Sequence, residues 1–105
     1  MDGLSQLACS PADRETIRRI FARFLPGVPV WAYGSRTRGT ARPNSDLDLV
    51  VFLSGPDTEK LSSVREALEE SSLPFRVDLF SWDELPADFQ KEISNSHLLL
   101  NGPES

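Results

Sequence analysis

Residues Tyr33 to Val51 read Y-G-S-R-T-R-G-T-A-R-P-N-S-D-L-D-L-V-V, and the reading of this stretch decides the fold. It is the end of one strand, a Gly-Ser turn, a basic loop or short helix, and a second strand that carries two carboxylates. Side chains alternate along a strand, so Asp46 and Asp48 share one face while Leu47, Leu49, Val51 and Leu53 share the other. One face is built for a core, and the other begins with acids. Carboxylates two residues apart on a strand have backbones about 6.5–7 Å apart, within reach of one divalent cation or a pair. Hard oxygen ligands of this kind suit Mg²⁺.

Upstream, Val28, Val30, Trp31, Ala32 and Tyr33 form an apolar run that delivers the chain to Gly34 and Ser35. A glycine there allows a phosphate to approach the backbone, and Ser35 adds a hydroxyl. Arg36, Arg38 and Arg42 follow with no acid among them, a cationic loop in an acidic protein. Each part has an ordinary reading: Gly-Ser as a turn, Asp48 as a solvated strand residue, the arginines as solvated surface. Their order and spacing together favour a site for a polyanion, a metal and paired carboxylates. Phosphoryl or nucleotidyl transfer needs that constellation, since it works by positioning and charge neutralisation.

Gly34-Ser35, ten intervening residues and Asp46-Leu47-Asp48 resemble the G-S-x10-D-x-D signature of the DNA polymerase β-like nucleotidyltransferase superfamily. The likeness is strongest to its small branch, the minimal nucleotidyltransferases found beside HEPN-domain proteins in toxin–antitoxin pairs. It runs from the first helix to about Phe80.

The composition is compatible with a compact version of such a protein. A chain of 105 residues is one domain, with an expected ordered core over about residues 10–100. The net charge of −5 argues against stable DNA or RNA binding through a broad basic surface, while leaving room for a nucleotide held by local arginines. Cys9 is the sole cysteine, which excludes an internal disulfide or a cysteine metal cluster. Nothing resembles a signal peptide or membrane span, so the expected compartment is the cytoplasm, with no membrane partner.

Met1 to Ala8 reads as a loose lead-in. Ser10-Pro11-Ala12-Asp13 then has the form of a helix cap, a first-turn proline and a first-turn acid. Ile17, Ile20, Phe21, Phe24 and Leu25 follow as an amphipathic stripe, with Arg14, Arg18, Arg19 and Arg23 on the solvated side, and Leu25-Pro26-Gly27 stops the helix. Ser54 to Asp57 is a break and a new cap before a second helix from about Thr58 to Ser71, with Leu61, Val64 and Leu68 on its inner face. Phe75 to Phe80 alternates as a strand, with Arg76, Asp78 and Phe80 on the side opposite Phe75, Val77 and Leu79. Ser81 to Glu84 has the form of a capping box before a short helix carrying Leu85, Phe89 and Ile93. Trp82 and His97 read as structural, and Leu98 to Leu100 as an edge strand or interface.

By alternation alone Asp78 reads as a solvated edge-strand acid. The resemblance implies more: a third catalytic carboxylate on the strand after the second helix, which Asp78 matches. On that basis Asp46 and Asp48 hold the metals, while Asp78 helps bind one and serves as, or assists, the base. The implied fold is α/β, a small mixed sheet with helices packed on one face and the carboxylates on the other. The implied activity is Mg²⁺-dependent transfer of AMP from ATP, with Gly34 and Ser35 on the β- and γ-phosphates and Arg36 adding charge as pyrophosphate leaves. So small a chain leaves no residues for an acceptor domain, and the expected acceptor is a hydroxyl of a partner, a HEPN-type toxin by analogy. Two alternatives stand beside it: an antitoxin acting by complex formation alone, and a small-molecule nucleotidyltransferase.

Overall fold

The computed structural model describes residues 7, 9–34, 45–53 and 59–102. Within them the chain forms α1 (Pro11–Phe24), β1 (Val30–Tyr33), β2 (Leu47–Val51), α2 (Lys60–Glu70), β3 (Val77–Ser81), a 3₁₀ turn (Trp82–Glu84), α3 (Ala87–Asn95) and β4 (Leu98–Asn101). The break expected at Ser54 to Asp57 lies outside the described residues.

The four strands form one mixed sheet in the order β3-β2-β1-β4. β1 runs antiparallel to both β2 and β4, whereas β2 and β3 are parallel. Parallel neighbours need a crossover, and α2 supplies it. The alternation read in the sequence is the alternation observed. Leu47, Leu49 and Val51 of β2, Val30 and Ala32 of β1 and Leu79 of β3 join one buried cluster.

Two helices close that cluster. Ser10 caps α1 by accepting a hydrogen bond from the Asp13 amide, and the helix buries Ile17 and Phe21. Leu61, Val64 and Leu68 are the buried residues of α2. Each fully buried Leu, Val, Ile or Phe contributes roughly 1.5–3 kcal/mol relative to exposure, so this layer carries most of the stability. The Arg65 guanidinium ties α2 to the edge strand by donating to the Leu79 carbonyl at 3.1 and 2.7 Å.

The residues ahead of α1 are not all loose. Leu7 is fully buried in the main cluster, and Arg14, one of the arginines expected on the solvated side, donates to its carbonyl at 3.3 and 3.1 Å. The sheet's second face is also partly covered. Ile93 of α3 packs with Tyr33 and Val50, flanked by Trp31, Phe52, Trp82 and Leu85. Two helices therefore cover one face and the short third helix covers part of the other. Trp82 stacks on Phe52 at 5.0 Å and His97 on Trp31 at 3.7 Å, so both are packing residues, as expected. Among the described residues no helix is long and apolar enough to cross a membrane.

β4 is stitched back to the turn after α1. The Asn101 side-chain amide donates to the carbonyls of Leu25 and Val28, each at 2.8 Å. Replacing Asn101 by Ala removes both donors from partly buried carbonyls, and a loss of about 1–2 kcal/mol is expected. Urea denaturation of the two chains measures it; an unchanged midpoint would mean that β4 is held without this anchor.

Candidate active site

The site is built on the face of β2 opposite the main core, where strand pairing sets its members side by side. Asp48 lies directly opposite Tyr33 of β1 and directly opposite Asp78 of β3. Tyr33, Asp48 and Asp78 therefore form a row across three adjacent strands, spaced by about 4.7–4.9 Å per strand. Asp46 is two residues upstream of Asp48 on the same face and is exposed. The next row along, Trp31, Val50 and Phe80, marks where the acids end and the aromatic packing around α3 begins. The three acids singled out in the sequence are thus brought to one patch.

Gly34 follows Tyr33 with φ +88°, in the left-handed region that favours glycine. A Cβ built there would lie 2.8 Å from Asp48 Oδ2. Two independent constraints require glycine: the backbone conformation and the carboxylate lying against it. Ser35 and Arg36, the other residues expected to hold the nucleotide, lie outside the described residues, as do Arg38 and Arg42.

The electrostatics are those of crowded like charge. Partial burial, then Asp78, then Asp46 push the Asp48 carboxyl above its usual pKa. Tyr33 is pushed up to about 12, first by burial and then by the charges of Asp48 and Asp78, so its phenol stays protonated at neutral pH. Asp78 has a cation against it: Arg76 Nε donates to Asp78 Oδ1 at 3.0 Å. In this arrangement no three His, Cys, Asp or Glu side chains among the described residues are gathered closely enough to hold a metal ion. In chemistry, though not in this spacing, the donor set suits a divalent cation. Its atoms are hard carboxylate oxygens, and its acids stand in neighbouring register positions on adjacent strands.

Two features of this patch were not read from the sequence. Tyr33 joins the row only through the antiparallel register of β1 with β2. Strand parity sets Arg76 on the Asp78 face, and that parity is the signal the sequence carries for the ion pair. Asp78 stands on an edge strand. A groove of about 710 Å³ runs along it, lined in part by Arg65, Phe75, Arg76, Asp78 and Phe80. A second cleft, of about 590 Å³, lies between α1 and α2 and includes Arg19, Arg23, Glu66 and Glu70, but none of the three acids.

The family described as Polymerase beta, Nucleotidyltransferase matches residues 15–104. A Haemophilus influenzae protein named "Probable protein adenylyltransferase MntA" is 33% identical over 105 residues, covering 99% of this chain and 92% of the relative. A solved structure described as a minimal nucleotidyltransferase superposes with a TM-score of 0.66 at 30% identity, covering 93% of this chain and 95% of that one. A crystal structure of a toxin–antitoxin with AMP-PNP shares the fold, with a TM-score of 0.69 at 22% identity over 86% of this chain and 73% of that one.

Two outcomes follow from this geometry. Gly34→Ala combines a strained φ with a contact on Asp48, and a loss of about 1–3 kcal/mol is expected in urea denaturation. A wild-type midpoint would show that the turn can adopt another conformation at no cost. The raised pKa of Asp48 also has a definite sign. Folding favours its protonated form, so its contribution to stability is present below the usual carboxylate range and is lost as pH rises through the raised value. Asp48→Asn removes a charge that its neighbours oppose. In EDTA the variant is expected to melt above wild type at pH 7, with the gap closing as pH falls through the carboxylate range. A variant that melts below wild type at pH 7 contradicts the crowding.

Proposed function

The chain belongs to the Polymerase beta nucleotidyltransferase family, and from that premise we propose that it is a protein adenylyltransferase that transfers AMP from ATP to a hydroxyl of a toxin-type partner, most plainly one of the HEPN class. The observation that carries this reading is the row of Asp48 and Asp78 across β2 and β3, with Asp46 one step upstream and Gly34 beneath Asp48. The name of the H. influenzae relative and the AMP-PNP bound in the toxin–antitoxin of the same fold support the donor and the partner class.

Asp46, Asp48 and Asp78 would hold Mg²⁺, in our reading two ions, whose chemistry when bound is to neutralise the triphosphate and lower the pKa of the acceptor hydroxyl. The protein's own residues do the rest. Gly34 keeps the turn free of a side chain, so the β- and γ-phosphates can approach the backbone there, with Ser35 adding a hydroxyl. Arg36 would offset the charge of the leaving pyrophosphate. The acceptor oxygen bonds to the α-phosphorus, the bond from that phosphorus to the bridging oxygen breaks, and pyrophosphate departs. The hydroxyl proton goes to Asp78, the outermost acid of the row. Asp78 stands at the open edge of the sheet, bordering the groove between β3 and α2, so an acceptor can reach it from outside the sheet. We place the reaction in the cytoplasm, where ATP and such a partner meet.

The test is the intact mass of a toxin co-expressed with this chain, in parallel with Asp48→Asn. Wild type is expected to add one or more AMP units, and the variant to lose at least about 10²-fold in rate. An unmodified toxin, bound and silenced equally by both chains, would replace catalysis with neutralisation by complex formation.

A further inference from the structure

Arg76 has its backbone fastened to the sheet while its side chain stays open to solvent. The Leu47 amide donates to the Arg76 carbonyl at 2.8 Å, which fastens the residue to β2 just before β3 begins. Leu47 pairs with Val77 and Asp48 with Asp78, so one step back along this parallel register sets Arg76 beside Asp46. Strand parity puts all four residues on one face. The result is a two-by-two array in which β2 supplies Asp46 and Asp48 while β3 supplies Arg76 and Asp78.

Like charges directly across neighbouring strands repel. The fourth corner answers that repulsion, because Arg76 Nε holds Asp78 Oδ1 at 3.0 Å. The Arg76 side chain is 75% exposed, and Asp78 is 25% exposed. An ion pair so open to water is held weakly, and a divalent cation can displace it.

We propose that Arg76 is a positioning residue, the resident counter-cation of the carboxylate cluster, which holds Asp78 until a divalent ion takes that oxygen. The inference rests on reading Asp46, Asp48 and Asp78 as the metal-binding set. Its consequence is a competition: the fourth corner carries a positive charge that an incoming Mg²⁺ must meet. Arg76 therefore stabilises the metal-free chain and weakens its hold on the metal.

The experiment is a Mg²⁺ titration of the whole chain without nucleotide, followed by the amide shifts of Leu47–Val51 and Val77–Ser81. Wild type, Arg76→Ala, Arg76→Lys, Arg19→Ala and Asp48→Asn are compared. Arg76→Ala is expected to bind Mg²⁺ about two- to five-fold more tightly, the range that loss of an exposed pair allows. Arg76→Lys keeps the charge at that corner and should stay near wild type. Arg19→Ala removes a distant charge and should change nothing, which separates a local effect from net charge. Without metal, Arg76→Ala should melt below wild type, and Mg²⁺ should raise its melting temperature by more. Equal or weaker Mg²⁺ binding by Arg76→Ala, or an equal gain in Arg19→Ala, overturns the proposal while the metal reading stands. A wild-type chain whose shifts respond no differently from those of Asp48→Asn overturns the metal reading and this proposal with it.

Discussion

The pairing of β2 with its two neighbours is the constraint on which the rest of this protein depends. A strand has two faces, and a slip of one residue exchanges them. Here the slip would turn Asp46 and Asp48 toward α1 and α2 and expose Leu47, Leu49 and Val51, each fully buried in the observed register. The cost of burying unpaired carboxylates excludes that alternative. The core therefore does more than stabilise: by accepting the leucines and valines of β2, it commits the acids to the other side.

That commitment concentrates negative charge. Asp48 titrates high because it is partly buried and because Asp78 and Asp46 stand near it, and Tyr33 is held protonated by burial and by the charges of Asp48 and Asp78. A chain selected only for stability would not set two carboxylates opposite each other on adjacent strands. Under the proposed function that repulsion is what a bound cation would relieve, at the place where the triphosphate would be neutralised. In the structure that relief falls in part to Arg76.

The two faces of the sheet divide the labour. One is closed by α1 and α2 and is apolar. The other is half closed by α3 over Val50, leaving the Asp48 end accessible. The row ends at an edge strand whose Leu79 carbonyl is taken up by Arg65, which blunts that edge against further strand pairing. Gly34 lies on the β1 side of Asp48, and Asp78 lies on its other side, at the sheet edge.

Local signals in the sequence were enough for what depends on period and turn chemistry. Alternation put Asp46 and Asp48 opposite Leu47, Leu49 and Val51; the cap at Ser10 and the stripe of Ile17 and Phe21 marked α1; and Gly34 stood out as a position where a side chain would be in the way. These features depend on neighbours a few residues apart, and side-chain direction within one element is a local property. Other features depended on which elements pair and in what register, and there the chain alone offered at most strand parity for Arg76 and a resemblance for Asp78. The placement of Tyr33 and Asp78 on either side of Asp48, the grip of Arg76 on Asp78, the burial of Leu7 and the seating of α3 on the acid-bearing face all join residues far apart in sequence or on separate strands. Only the folded sheet could decide them, because register is settled by the sum of core burial and strand hydrogen bonds, and no single segment carries that sum.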